Sequence, residues 1–192
     1  MDKQKILFLI FLLVAAIQIY VPAKMIFEKE NILAEGIAYK FKTAPVDPSD
    51  PFRGKYIVLR FEENSYSAPI TANFEKGQTV FLSLYNDADG FAKIKSAHAQ
   101  KPSNPDFVKA IVAREYKSES FQKLRIQWPF DRYYMEESKA YEAELIYRQM
   151  QRDGNATGYA LVNVIDGEAV LQDVLINEVS IRELVDASLD EK

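Results

Sequence analysis

The side chains best suited to chemistry gather in one stretch, Arg132-Tyr133-Tyr134-Met135-Glu136-Glu137, followed by Lys139 and Glu142. Adjacent carboxylates flanked by cations could serve a hydrolase as acid and base, provided the surroundings push their pKa values apart. The same residues open a helix, where negative charge is favoured by the macrodipole. With Arg132 and Lys139 beside them, an ion-pair network holding helix to sheet is the simpler reading. Neighbouring helical residues also point about 100° apart, a poor geometry for a shared substrate. Other chemistry is thinly represented. One histidine, His98, and no cysteine leave zinc or haem without a ligand set. His98 alternates with Lys93 and Lys95 near a strand end and reads as a surface residue. Asp87 and Asp89 before Gly90 offer oxygens to a hard cation but lack a later glutamate, so they read as a hairpin turn. No nucleophile elbow, P-loop or dinucleotide fingerprint occurs. No metal or cofactor is therefore expected.

The elements that must position these residues begin with an uneven composition. Of the 192 residues 48% are hydrophobic, yet residues 6–21 (ILFLIFLLVAAIQIYV) are interrupted only by Gln18. Sixteen helical residues span about 24 Å, slightly short of a ~30 Å hydrocarbon core. Beyond Pro22, Met25, Ile26 and Phe27 carry the apolar character on, so a tilted or kinked helix spans, with Tyr20 as an interfacial aromatic. Three readings compete: a retained anchor, a cleaved signal sequence with its cut near Val21-Pro22-Ala23, and a buried soluble helix. The anchor is favoured by the long apolar run and by residues 23–36, where Met25, Ile26, Ile32 and Leu33 recur at helical spacing before Gly36. Lys3 and Lys5 precede the segment, which places the N-terminus in the cytoplasm and the domain in the periplasm by the positive-inside bias. The first 36 residues carry four basic and four acidic side chains, so the net charge of −4 belongs to the remainder. Mild acidity argues against nucleic acid.

Past Gly36 alternation dominates. Strands are expected over 37–43, 55–63, 78–86, 91–99, 107–116, 121–128, 158–166 and 168–177. Hairpins are expected across Asp87–Gly90, between the 107–116 and 121–128 pair, and across Asp166-Gly167. A helix over 136–153, with Gly154-Asn155 as its cap, carries Tyr141, Leu145 and Arg148 or Gln149 at 3–4 spacing, widened by Ile146 and Met150. Residues 178–184 add a strand or a short helix. The expected fold class is α+β and β-rich: an N-terminal transmembrane helix, then a curled antiparallel sheet or partly open barrel with one late helix. The divisions are 1–27 as anchor (its helix continuing to about 35), 37–184 as the extracytoplasmic domain, and 185–192 as an acidic frayed tail.

Residues 46–61 (VDPSDPFRGKYIVLRF) resemble the signature of the GDYXXLXY family of bacterial membrane-associated proteins. Gly54, Tyr56 and Leu59 match, and Asp47-Pro48 and Arg53 fit the run-in. The motif's Asp is replaced by Lys55 and its last Tyr by Phe61. The Arg132–Glu137 stretch with Lys139 and Glu142 is similar to the family's later aromatic-then-acidic segment. The resemblance implies an anchored domain, often beside or fused to a multi-spanning membrane protein, and no established reaction. Any chemistry resting on the family's acidic residue is unavailable at Lys55. Read physically, Gly54 permits a positive φ or close backbone approach, and Tyr56, Leu59 and Phe61 pack; a binding surface is the second reading and a reaction site the third. The many aromatics, Trp128-Pro129-Phe130 and Tyr133-Tyr134 among them, serve a β-domain core with tyrosines at its rim, or a protein-binding patch. Two functions follow as expectations. The first is an interaction module in the cytoplasmic (inner) membrane, held in the lipid bilayer through residues 6–21 and docking a multi-spanning protein. The alternative is a membrane-tethered hydrolase using carboxylates near Arg132–Glu137.

Overall fold

The computed structural model describes residues 3–44, 56–153 and 156–190, without the side chains of Glu137, Arg148, Gln151, Arg152 and Asp153. Asp47, Arg53, Gly54 and Lys55, and the Gly154-Asn155 cap, lie outside the described residues. Helix α1 runs unbroken from Lys3 to Glu35 with Pro22 inside it, about 50 Å at 1.5 Å per residue. It is long and apolar enough to cross a membrane, and none of its most apolar stretch is buried against the domain.

The domain follows as β1 (Ile37–Lys42), β2 (Tyr56–Val58), β3 (Ser65–Pro69), a 3-10 turn at Ile70–Ala72, β4 (Thr79–Asn86), β5 (Ala92–His98), β6 (Phe107–Lys117), β7 (Phe121–Gln127), β8 (Arg132–Tyr134), α2 (Glu137–Asp153), β9 (Gly158–Ile165), β10 (Glu168–Ile176), β11 (Val179–Ser180) and α3 (Ile181–Asp190). Three antiparallel ladders form, in the orders β1-β9-β10-β11, β2-β8 and β3-β7-β6-β4-β5. Backbone bonds stitch them into a near-closed sheet, a partly open barrel. The Lys109 amide donates to the Gly167 carbonyl (2.8 Å), joining β6 to the tip of the β9–β10 hairpin. Leu59 donates to Asp131 (2.8 Å), Glu62 to Lys42 (3.0 Å) and Ile126 to Asn64 (2.8 Å). This α+β, β-rich architecture is the one the alternation predicts.

Strand alternation decides what faces inward. On β7, Gln122, Leu124 and Ile126 are buried while Phe121, Lys123, Arg125 and Gln127 are exposed. At the barrel's centre Phe41, Phe61, Trp128 and Phe130 meet with ring centroids 4.9 to 5.8 Å apart. Trp128 and Phe130 are thus core residues, and the Trp128 indole donates to the Glu63 carbonyl at 2.7 Å.

Four expectations need correction. The strand expected over 55–63 is a ladder at 56–58; Leu59 still bonds Asp131, next in the same register, and the chain then changes partner, the Arg60 carbonyl accepting from the Ala44 amide and Phe61 bridging Thr43. Strands β3 and β8 fall where none was expected. The buried stripe of α2 is Ala140, Ala143, Tyr147 and Met150, whereas Tyr141 and Leu145 are 62% and 40% exposed. Two alanines share that face with Tyr147 and Met150, so a stripe traced through the large apolar residues alone is rotated away from the true inner face. Lastly, the acidic end continues as α3 to Asp190, because Ile181 and Val185, four residues apart, are both fully buried.

Candidate functional site

The β2–β8 ribbon carries residues from both sequence motifs. Tyr56 pairs with Tyr134, Ile57 with Tyr133, and Val58 with Arg132. Since alternate residues share a face, Ile57 and Tyr133 point inward (4% and 2% exposed) and Tyr56, Val58, Arg132 and Tyr134 point outward. The outward face is an aromatic and cationic patch. The Tyr56 and Tyr134 rings lie 5.4 Å apart, and the Arg132 guanidinium sits 5.2 Å from the Tyr56 ring centroid. Hydrogen bonding to Tyr134 raises the Arg132 pKa further above its ordinary value, and the Asp131 carboxylate 3.9 Å away adds to this. Arg132 therefore turns to the ribbon's own aromatics and to Asp131 beside it. Of the motif's other residues, Leu59 and Phe61 are buried at 2% and 3%. Packing thus describes Leu59 and Phe61, whereas half-buried Tyr56 belongs to the surface.

Behind the ribbon, inward-facing Tyr133 donates from its hydroxyl to Asp173 Oδ1 at 2.6 Å, and Arg182 of α3 lies over its ring at 5.3 Å. Burial, then the Asp173 bond, push the Tyr133 pKa well up. Asp173 stands at an irregularity in the β9–β10 pairing, where its side chain also accepts from the Val174 amide at 2.8 Å. This clip fixes the ribbon to β10 and α3.

The acidic segment is spread rather than gathered. The exposed Glu136 caps α2, its carbonyl accepting from the Lys139 and Ala140 amides at 3.0 Å each. Lys139 pairs with Asp186 of α3 (2.6 Å), a bond that raises its pKa, and Glu142 accepts from the Ser188 hydroxyl (2.7 Å). The network ties helix to helix, and its partners lie in the C-terminal segment. The Glu137 side chain lies outside the described residues. Asp87 is a turn residue, its Oδ1 accepting from the Asp89 and Phe91 amides. His98 Nε2 and Ser96 Oγ lie 2.7 Å apart. Among the described residues no three His, Cys, Asp or Glu side chains are placed to hold a metal.

A second surface feature had no sequence signal. A cleft of about 300 Å³ opens where α1 meets the barrel, between Lys29, the middle of β6 and the tip of the β9–β10 hairpin. Its lining is drawn from five separate segments, so only the fold assembles it.

Neither a curated protein nor a solved structure matches this chain. A family model does, over residues 18–174, a span that takes in the last turns of the apolar helix, both motifs and all but the end of β10. The chain belongs to the GDYXXLXY protein family.

Proposed function

We propose that this protein is a membrane-anchored interaction module. In this reading α1 spans the cytoplasmic membrane with its N-terminus inside, and the barrel stands in the periplasm, where the β2–β8 ribbon docks a multi-spanning membrane protein. The observation that carries it is the outward face of Tyr56, Val58, Arg132 and Tyr134. Tyrosine and arginine are the residue types on which binding energy concentrates, and here they stand exposed on a clipped, rigid ribbon. Fixing those side chains beforehand lowers the entropy lost on docking. The anchor is supported by the exposed apolar helix and by Lys3 and Lys5 ahead of it.

The test is extraction of the full chain in mild detergent with quantification of its co-purifying membrane protein. The double variant Arg132→Glu/Tyr134→Ala is expected to lower recovery at least tenfold, as loss of a hot-spot pair does. A control, Tyr116→Ala, alters an exposed tyrosine at the far end of β6 and is expected to leave recovery unchanged. Recovery of monomer alone from wild type, or equal losses in both variants, would count decisively against the ribbon as docking site.

A further inference from the structure

We infer that the cleft beside α1 binds the phosphate of an anionic phospholipid headgroup. The inference rests on the membrane reading above and extends it to a lipid contact made by the barrel. Depth comes first. Phe27 of α1 is 77% exposed and ends its outward apolar surface; Lys29, on the cleft's rim, is two residues on, about 3 Å along the axis. With the apolar stretch in the hydrocarbon, the cleft opens at headgroup level.

Its chemistry suits that depth. Lys29 and Lys109 bring two ammonium groups against one carboxylate, Glu168, in a domain that is net acidic. Lys29 and Glu168 are 3.7 Å apart and both more than half exposed, a loose pair that a phosphate can replace. Lys109 is exposed and has no ion-pair partner among the described residues. Thr79 and Gln127 add a hydroxyl and an amide to bond ester oxygens, and Ile111, 44% exposed, offers an apolar wall to the glycerol. At about 300 Å³ the cleft stands at the small end of ligand sites, sized for a headgroup rather than an acyl chain. The wall is rigid, because the Lys109 amide is itself bonded to Gly167 across the barrel closure.

The full chain in a neutral maltoside detergent is titrated with dihexanoyl phosphatidylglycerol, dihexanoyl phosphatidylcholine and inorganic phosphate, following the heat of binding by isothermal titration calorimetry. Phosphatidylglycerol is expected to give a saturable change at the lowest concentration, with Lys109→Gln about fivefold weaker. An indistinguishable response to phosphatidylcholine, or an unchanged Lys109→Gln titration at wild-type near-UV circular dichroism, overturns the proposal. Saturation by inorganic phosphate as readily as by lipid assigns the cleft to a free anion and overturns it equally. Flotation with pure phosphatidylcholine vesicles separates this failure from that of the anchor. A chain that floats without headgroup selectivity loses the cleft and keeps the span, and a chain that does not float loses the membrane reading.

Discussion

Gln122, fully buried on β7, accepts from the Phe74 amide at 2.9 Å and donates back to the Phe74 carbonyl. An apolar residue there orphans two buried backbone groups, so Gln122→Leu is expected to cost about 3 kcal/mol in urea unfolding. Glu178 makes a second kind of prediction. Its carboxylate accepts from the Tyr159 hydroxyl (2.6 Å) and pairs with Lys40 (3.2 Å), and these bonds hold its pKa below the ordinary 4.5. A depressed folded pKa contributes stability above the unfolded value and loses it as pH falls through the folded one. Melting temperature should therefore fall more steeply below about pH 4.5 in wild type than in Glu178→Gln. An identical acid limb in both would show that the contact does not matter. At this scale the sequence was legible where alternation had one answer, as for the buried Leu59 and Phe61. It was not legible for Tyr56, whose strand is apolar on both faces, nor for Lys139, whose partner Asp186 lies 47 positions away along the chain. No local pattern encodes such a partner.

Among the elements, the β9–β10 hairpin is the most exposed to a single change. Gly167 has φ +89°, and a Cβ there would lie 2.4 Å from the Phe107 ring. Gly167→Ala thus meets backbone strain and overlap together, and loosens the bond closing β6 onto the hairpin. A loss of about 2 kcal/mol is expected by chemical denaturation. Alanine at Gly77, with a similar φ and open space around it, should cost less; equal costs would leave Phe107 without a role. The hairpin itself was plain from Asp166-Gly167, and every expected strand but the one over 55–63 appears within two residues of its expected bounds. Strand β3 (SYSAP) escaped notice because Ala68 is its one buried residue and its pairing with β7 supplies the order that its own sequence lacks. The continuation of α3 past residue 184, where a frayed tail is expected, is hidden by its charge, although Ile181, Leu184, Val185 and Ser188 keep helical spacing.

For the whole molecule, the barrel's closure could not be read ahead of time, because Lys109 and Gly167 meet only after five strands have been laid between α1 and β6 and the hairpin has folded back. The cleft inherits that non-locality. Of α1, Ile32 is the one buried residue, so a chain beginning at Lys29 is expected to keep the domain's near-UV circular dichroism and cooperative melting; loss of both would make the helix part of the core. What joins helix to barrel is nonetheless short and stiff. The Gly36 amide bonds the Ile32 carbonyl (3.0 Å), Asn163 donates to the Leu33 carbonyl (2.9 Å), and a Cβ at Gly36 would lie 2.4 Å from the Ile32 oxygen. No linker separates them. On the proposed topology, α1 is a lever arm: a thinner bilayer that tilts the helix must swing the barrel through the same angle, tipping the ribbon relative to the membrane plane. Bilayer thickness then becomes a setting of the height and angle at which the docking face meets its neighbour.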